Sequence, residues 1–216
     1  MIQEERIQPL NRYNISKGDY VLYWMQASQR AEYNHALEFA IRQANELSKP
    51  LVVYFGLTDD YPEANERHYY FMLQGLKEIQ TALRDRRIQM VIKHCSPEQG
   101  AIELSKRASL VVCDRGYLKL QLMWRRQVAE KISCPLIQVE SDVVVPIEKV
   151  SDKEEYSAAT IRRKLHPLLP KYLVNLEERD AHINSMFEIE SYNISEPTKA
   201  LDGLMIDRSV KHVQGI

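Results

Sequence analysis

Three short segments place side chains suited to ligand binding where predicted β-strands end. Residues 24–26 (Trp-Met-Gln) follow the first strand, residues 56–59 (Gly-Leu-Thr-Asp) the second, and residues 114–116 (Asp-Arg-Gly) the fourth. They offer an aromatic wall, a glycine that permits close approach, and carboxylates that orient polar groups. Because ligands of open parallel sheets bind beyond the carboxyl ends of the strands, we expect one site for a flat, mostly apolar ligand.

Several other chemistries lack their sequence signatures. The turn after the first strand, WMQASQR, contains no glycine, and neither GxGxxG nor GxxxxGK[ST] occurs, which argues against an ordinary dinucleotide or nucleoside triphosphate. The 6 histidines show no metal-ligand spacing, so we expect no bound metal. There is no GxSxG or CxxC motif, and we predict that Cys95, Cys113 and Cys134 are buried free thiols, which suits a reducing cytoplasm.

The elements that must position these segments alternate regularly along the chain. Short β-branched and aromatic runs indicate buried strands, and apolar residues at three- and four-residue steps indicate helices between them. This rhythm predicts an α/β fold, a Rossmann-like doubly wound five-stranded parallel sheet with helices on both faces and a C-terminal extension. The predicted strands are 19–25, 51–57, 88–93, 110–113 and 135–139, and the helices between them are 29–47, 63–86, 97–107 and 119–132.

The rhythm stops after residue 140, which sets the expected domain boundaries. We predict a surface lead-in over 1–17, the α/β domain over 18–165 and a linker over 166–216. Residues 142–146 read as an extended run and 153–165 as helical. The acidic stretch after Lys171 has little periodicity, so we expect it to pack loosely. At the other end, Ser28 is the predicted N-cap of the first helix, whose inward face includes Leu37 and Ile41.

Composition limits the partners of the chain. The 216 residues carry 29 Lys+Arg against 30 Asp+Glu, for a formal net charge of -1, so there is no overall positive field to attract nucleic acid. The basic runs at 84–87 and 125–126 read as solvated helix faces. No stretch of about 18 apolar residues occurs, so we expect no membrane segment.

Four stretches of the sequence resemble the class II branch of the DNA photolyase and cryptochrome family. They occur in the same order and at similar spacing as in that family, and together they extend over nearly the whole chain. They are YWMQASQRAEYNHAL from Tyr23, VYFGLTDDYPEANERHYYFMLQGL from Val53, VESDVVVPIEKVSDKEEYSAATIRRK from Val139 and LMIDRSVK from Leu204. The chain departs from the family pattern at SDVVVP, where His-Asn is usual before VVP. It also has Arg163 in place of proline and Asp114-Arg115-Gly116-Tyr117 in place of a Ser-Pro turn.

The resemblance implies an N-terminal antenna domain that binds a light-harvesting chromophore, a deazaflavin ahead of a folate. It also implies that FAD belongs to a separate helical domain that repairs cyclobutane pyrimidine dimers in DNA. We expect that domain to lie outside this chain and the chain alone to be inactive in repair, with no catalytic residues of its own. The site residues that the resemblance implies are Met25, Gln26, Phe55, Leu57, Asp59, Arg67 and Asp114, and the aromatic Trp24 at the end of the first strand joins them as a candidate.

Two of these residues carry specific expected roles. Asp114 would accept a hydrogen bond from the edge of the chromophore ring, and Arg67 would face a polar or anionic tail. The alternatives are a stand-alone nucleotide-binding or sensor domain, and a scaffold domain whose pocket binds nothing. A stand-alone domain would explain the α/β rhythm but not LMIDRSVK near the end of the chain.

Overall fold

The sheet has six strands in the computed structural model, which describes residues 2–212. Strand order is β1-β6-β5-β2-β3-β4, and the five predicted strands, β2 to β6, are parallel to one another. The strand bounds are Ile7–Pro9 (β1), Tyr20–Trp24 (β2), Leu51–Leu57 (β3), Gln89–His94 (β4), Ala108–Asp114 (β5) and Leu136–Val139 (β6). The predicted doubly wound α/β class is confirmed, and β2 lies at the centre as its buried sequence requires.

Helices cover both faces of the sheet. Alternate residues of β2 point to opposite sides: Val21 and Tyr23 join the core beneath α1 and α2, and Leu22 and Trp24 join the core beneath α3 and α4. The α-helices are His35–Glu46 (α1), Glu66–Asp85 (α2), Pro97–Ser105 (α3), Lys119–Lys131 (α4), Ile147–Val150 (α5), Ala158–Leu165 (α6), Leu169–Tyr172 (α7) and Pro197–Asp202 (α8). Short 3-10 helices span Glu4–Arg6 and His166–Leu168.

The sixth strand corrects the prediction that residues 1–17 are only a surface lead-in. Strand β1 pairs antiparallel with β6, and the preceding Arg6 is buried. Its guanidinium donates to the backbone carbonyls of Glu140, Val143 and Val144. The predicted extended run at 142–146 is therefore a bent loop whose carbonyls pair with a side chain from the N-terminal segment. The sequence pattern does not reveal such a pairing because it joins residues more than 130 positions apart.

The first helix begins later than predicted. Ser28 is not its N-cap; Asn34 is, and its Oδ1 accepts a hydrogen bond from the amide of Leu37 at 3.0 Å. Residues 29–34 form a turn-rich loop instead. The side-chain Nδ2 of Asn34 donates to the carbonyls of Ser28 and Arg30, and these bonds hold the loop away from helical geometry.

The segment after α7 packs on the domain rather than loosely beside it. Residues 185–192 run along the edge strand β4: the amide of Gln89 donates to Ser185 Oγ at 2.6 Å, and the amide of Tyr192 donates to the carbonyl of Ile92 at 2.7 Å. Further on, Ile194, Leu201 and Leu204 are buried in the core beneath α1 and α2. The last predicted linker residues, 213–216, lie outside the described residues.

Candidate functional site

A cavity of about 610 Å³ opens at the carboxyl edge of the sheet. Its walls come from the loops that follow β2, β3 and β5 and from the facing sides of α2 and α4, so its place matches the edge that the sequence predicts. Aromatic and apolar groups dominate the wall. The lining residues are Gln26, Ala27, Gln29, Phe55, Gly56, Thr58, Tyr61, Ala64, His68, Tyr69, Phe71, Met72, Gly75, Ile79, Gly116, Tyr117, Leu118, Gln121, Trp124 and Asp142.

Helix α2 forms a long side of the cavity. Phe71, Met72 and Gly75 line it at helical spacing. Phe71 is 74% exposed, so most of its ring is accessible from the cavity side. A Cβ atom added at Gly75 would meet nothing within 4 Å, so this turn of the helix leaves open space beside the cavity. Phe71 and the open turn at Gly75 therefore give this side of the cavity an apolar, accessible wall.

Hydrogen bonds of polar side chains hold the loops of the cavity wall together. Gln26 links the ends of β2 and β3: its Oε1 accepts from Trp24 Nε1 at 3.1 Å and from the amide of Gly56 at 3.3 Å, and its Nε2 donates to the carbonyl of Gly56 at 3.2 Å. The hydroxyl of Tyr69 donates to the carbonyl of Thr58 at 2.7 Å. Because these bonds are made within the protein, the loops keep their shape without a ligand.

Tyr117 is fixed by a buried carboxylate. Its hydroxyl donates to Glu140 Oε1 at 2.6 Å, and Glu140 also accepts from the amide of Ile147 and pairs with Arg115 at 3.4 Å. Burial and the hydrogen bond to Glu140 both raise the pKa of Tyr117, so the phenol stays protonated. This contact ties the β5–α4 loop at the cavity mouth to the loop after β6.

Asp114 is occupied by the protein itself. Its Oδ2 accepts from the amides of Gln26, Ala27 and Ser28, each at 2.9 Å, and its Oδ1 accepts from the hydroxyl of Tyr23 at 2.7 Å. Burial raises the pKa of Asp114, and the four donors oppose that shift. Asp114 does not line the large cavity. Its carboxylate fixes the shape of the 26–28 loop, and both of its oxygens are used by donors of the protein rather than facing a chromophore ring.

The other residues named from the sequence divide between cavity and core. Gln26 and Phe55 line the cavity. Trp24 is buried and, with Asp114, lines a void of only about 10 Å³ beneath the loop. Met25 and Leu57 are fully buried in the core.

The two charged candidates after β3 also lie off the cavity wall. The Asp59 carboxylate pairs with His94 Nε2 at 2.9 Å, at the end of β4. Arg67 is exposed at the start of α2, and the next residue, His68, lines the cavity instead. Gly56 is required by packing rather than by a ligand, since an added Cβ would lie 2.4 Å from Pro97 Cα.

Sequence reasoning missed most of the helical wall. Trp124 and Gln121 lie on α4 and Tyr61 lies in the β3–α2 loop, and none follows directly after a strand. The Tyr-Tyr-Phe-Met run at 69–72 carried the available signal, because it puts more aromatic surface on a helix than one buried face can cover. Its second tyrosine has another partner: the Tyr70 ring stacks on His212 at 4.1 Å.

The described residues also bear on three other sequence expectations. No helix among residues 2–212 is long and apolar enough to cross a membrane. The same part of the chain contains no cluster of His, Cys, Asp and Glu able to hold a metal ion. Cys113 and Cys134 are buried free thiols as predicted, whereas Cys95 is half-buried.

Comparison with known proteins gives the family. A family model described as DNA photolyase matches residues 21–182. The chain belongs to the DNA photolyase family. It is 48% identical over 187 residues to a deoxyribodipyrimidine photo-lyase of Methanothermobacter thermautotrophicus, covering 86% of this chain and 42% of that protein. It is 31% identical over 202 residues to the photo-lyase of Potorous tridactylus, covering 89% of this chain and 36% of that protein.

Solved structures show the same fold in photolyases. The chain superposes on an archaeal photolyase from Sulfolobus tokodaii with a TM-score of 0.62 at 15% identity, covering 83% of this chain and 41% of that one. That photolyase is described as containing two FAD molecules and as implying a novel light-harvesting cofactor. A class III photolyase from Agrobacterium tumefaciens gives a TM-score of 0.51 at 15% identity, over 64% of this chain and 29% of that one. The chain thus spans less than half the length of these photolyases.

Proposed function

We propose that this chain is the light-harvesting antenna domain of a class II cyclobutane pyrimidine dimer photolyase. The observation that carries the proposal is the cavity of about 610 Å³ at the carboxyl edge of the sheet, with Phe55, Tyr61, Phe71 and Trp124 in its wall. Its volume suits a drug-sized planar ligand, and its apolar lining with few polar anchors is typical of such sites. Membership of the photolyase family supports a chromophore as that ligand.

The charges at the cavity favour a deazaflavin over a polyglutamylated folate. None of the described lining residues is Lys or Arg, whereas Asp142 contributes a carboxylate. That carboxylate is paired with Arg30 at 3.2 Å and accepts from Ser28 Oγ at 2.6 Å, so it is held in place at the rim. An anionic tail would find no Lys or Arg in the described wall, and Asp142, already paired with Arg30, offers it no counter-charge.

The residues of the chain have defined tasks in this role. A bound deazaflavin would supply absorption of near-ultraviolet or blue light and transfer of that energy to a flavin. Phe71 and Trp124 would bind the ring faces, Gln26 and Tyr69 would keep the loops at a fixed separation, and Tyr117 would close the mouth against water. In a longer photolyase the energy would go to FAD in the helical domain, which would flip the dimer out of DNA and split it by electron transfer.

Two other functions have less support. A nucleotide-binding sensor would need a phosphate cradle, and the loop after β2 instead directs its amides at Asp114. A scaffold role would leave the apolar cavity of about 610 Å³ without an occupant. An absorption spectrum of the purified protein separates all three: a near-ultraviolet or blue band supports the antenna, released nucleotide supports the sensor, and neither supports the scaffold.

The ligand class is tested by titration with 5-deazariboflavin and its 5′-phosphate. We expect the neutral compound to bind about tenfold more tightly, because the phosphate finds no cation in the wall. A preference for the phosphate would contradict the charge argument that favours a neutral deazaflavin over a polyglutamylated folate. Failure of both compounds to bind would favour the scaffold role.

The aromatic wall is tested by Phe71→Ala. We expect deazariboflavin affinity to fall about five- to tenfold, because the ring loses one aromatic face, with little change in the unfolding midpoint. Tyr156→Ala is the matched control, since this side chain is 90% exposed and lies off the cavity. Equal affinities for wild type and both variants would remove Phe71 from the site.

A further inference from the structure

Glu66, the first residue of α2, holds the last described segment of the chain. Its backbone amide donates to the carbonyl of Asp207 at 2.8 Å, and Asn65 forms an isolated parallel bridge with Asp207. Its side chain is only 4% exposed and accepts from three cationic or basic groups. The distances to its carboxylate are 3.3 Å from Arg208 Nη1, 3.1 Å from Lys211 Nζ and 3.0 Å from His212 Nδ1. We call these four residues the Glu66 clasp.

Other contacts fasten the same segment independently of the carboxylate. Arg208 Nη2 donates to the carbonyls of Leu201 and Leu204, at the end of α8. The ring of His212 stacks on Tyr70, one turn along α2 from Glu66, with an interplanar angle of 26°. Residues 207–212 therefore follow a single path across the start of α2.

The charge arrangement favours this path. The hydrogen bonds from His212 and Lys211 lower the pKa of Glu66 to about 2, so the carboxylate is ionised throughout the physiological range. A carboxylate in the first turn of a helix is also favoured by the helix dipole. Replacing Glu66 by a neutral side chain would leave Arg208 and Lys211 facing each other without a counter-charge.

The clasp shares its helix with the chromophore cavity. His68 and Tyr69, two and three residues after Glu66, line the cavity, and Phe71 and Met72 extend the same wall. The start of α2 is thus in contact with the cavity on one side and with residues 207–212 on the other. The clasp therefore sets the direction of the chain up to residue 212 at a fixed distance from the cavity.

We infer that Glu66 is a positioning residue for the antenna: it fixes the path on which the chain leaves the domain relative to the chromophore. This inference rests on the proposed antenna function. Energy transfer between two chromophores depends steeply on their separation and on the angle between their transition dipoles. A clasp at the cavity wall would keep both constant in a photolyase whose flavin lies farther along the chain.

The test measures energy transfer from the cavity to the clasped segment. Bound 5-deazariboflavin is the donor, and the acceptor dye is attached to Val210→Cys, an exposed position of that segment, in a Cys95→Ser background. Time-resolved donor decay gives the distribution of distances for three proteins: wild type, Glu66→Gln and Glu78→Gln. Glu78 is an exposed residue of the same helix and serves as the matched control. Trypsin cleavage after Arg208, followed by mass spectrometry, reports directly on the clasp.

We expect Glu66→Gln to broaden the distance distribution and to raise the initial cleavage rate after Arg208 about fivefold or more, because the segment opens more often. Deazariboflavin affinity should stay within about twofold of wild type in all three proteins. Arg208→Gln breaks the clasp from the other side and should give the same broadening; circular dichroism checks that each variant is folded.

The outcomes separate the clasp from the antenna. If the donor binds and all proteins show the same narrow distribution and the same cleavage rate, the positioning role of Glu66 is overturned while the antenna function stands. If wild type does not bind the donor, the antenna function is overturned and the positioning role with it. A control variant that broadens as much as Glu66→Gln would also overturn the specific role of Glu66.

Discussion

At the scale of single residues, buried polar groups determine the shape of the loop at the cavity. Asp114 accepts three consecutive backbone amides and the Tyr23 hydroxyl, and Tyr23 in turn accepts from Asn34 Nδ2 at 2.9 Å. Asn34 also caps α1. One chain of hydrogen bonds therefore joins the end of β5, the loop after β2 and the start of α1. Such a network specifies a unique geometry only while every member is present.

Asp114→Ala should therefore destabilise the folded protein. Removing the carboxylate leaves the Tyr23 hydroxyl and three amides without an acceptor in the interior, at a cost of about 3 kcal/mol or more. This replaces the expectation from sequence that Asp114 matters mainly to the ligand. Denaturant unfolding measures the effect, with Asp60→Ala, an exposed carboxylate in the loop after β3, as control. A loss below about 1 kcal/mol would refute the structural role.

His35 gives the stability a pH dependence whose sign follows from burial. Burial, followed by the charges of Arg6 and Arg30, lowers the pKa of His35 to about 4 from 6.5. Its Nδ1 is shielded from solvent and has no hydrogen-bond partner among the described residues. The folded state thus favours neutral His35, so the stabilisation is present above pH 6.5 and is lost as the pH falls towards 4.

The expected loss is on the order of 2–3 kcal/mol between pH 6.5 and pH 4. Urea unfolding at half-unit pH steps measures it, and His35→Gln should flatten the curve in that window. His182→Gln, which replaces an exposed histidine, should not. Glu66 and Glu155, whose pKa values are lowered to about 2, lose their stabilisation only as the pH falls below 4.5. The raised pKa of Asp114 changes stability with the opposite sign, so the difference between wild type and His35→Gln is what isolates the histidine.

At the scale of elements, the inward face of α1 is the most secure prediction from sequence. Leu37 and Ile41 are both fully buried against the sheet, as their spacing requires. Leu37→Ala or Ile41→Ala should each cost about 2–5 kcal/mol in denaturant unfolding. Gln43→Ala on the same helix should change the free energy of unfolding by less than about 0.5 kcal/mol, since Gln43 bonds only to exposed Glu46. Similar losses for all three would refute the assignment of the buried face.

The sequence specified strands and helix faces well because local patterns encode them. The run LVVYFGL is β3 to the residue, and β2, β4, β5 and β6 differ from prediction by at most a few residues at their ends. Strand β1 escaped prediction because three residues ending in proline carry no alternating pattern; its position depends on pairing with β6. Its neighbour Arg6 can be buried because the carbonyls of Glu140, Val143 and Val144, far along the chain, accept hydrogen bonds from its guanidinium.

The location of the candidate site could be predicted from the sequence, but most of its lining residues could not. The rule that ligands bind beyond the strand ends located the cavity, since it depends only on strand order. The choice of side chains that face the cavity depends on the rotation of the helices and on hydrogen bonds within the loops. For this reason Met25, Leu57 and Asp114, which were predicted to line the site, lie away from its wall. Arg86 shows the same limit: it lies in a run predicted to be a solvated helix face, yet its guanidinium pairs with the buried Glu38 at 2.5 Å.

At the scale of the whole molecule, residues 173–204 complete the domain. They cover the edge strand β4, where Gln89 exchanges side-chain hydrogen bonds with the backbone of Phe187 and the Ile92 amide donates to Ser191 Oγ. The Phe187 ring packs edge-on against Tyr20 at 5.1 Å. An uncovered edge strand exposes a row of unpaired amides and carbonyls that can pair with another copy.

A chain that ends at residue 170 should therefore associate in solution although it keeps all six strands. It would expose the edge of β4 and the apolar surface that Ile194, Leu201 and Leu204 cover. Size-exclusion chromatography with light scattering should show the truncated chain in larger species than the chain of 216 residues at the same concentration. Ser185→Ala/Ser191→Ala in the chain of 216 residues is the intermediate case, because it removes two hydroxyl acceptors of β4 amides and keeps the backbone and the apolar cover. A truncated chain that stays monomeric with an unchanged unfolding midpoint would show that residues 173–204 are dispensable to the domain, as the acidic and aperiodic sequence suggests by itself.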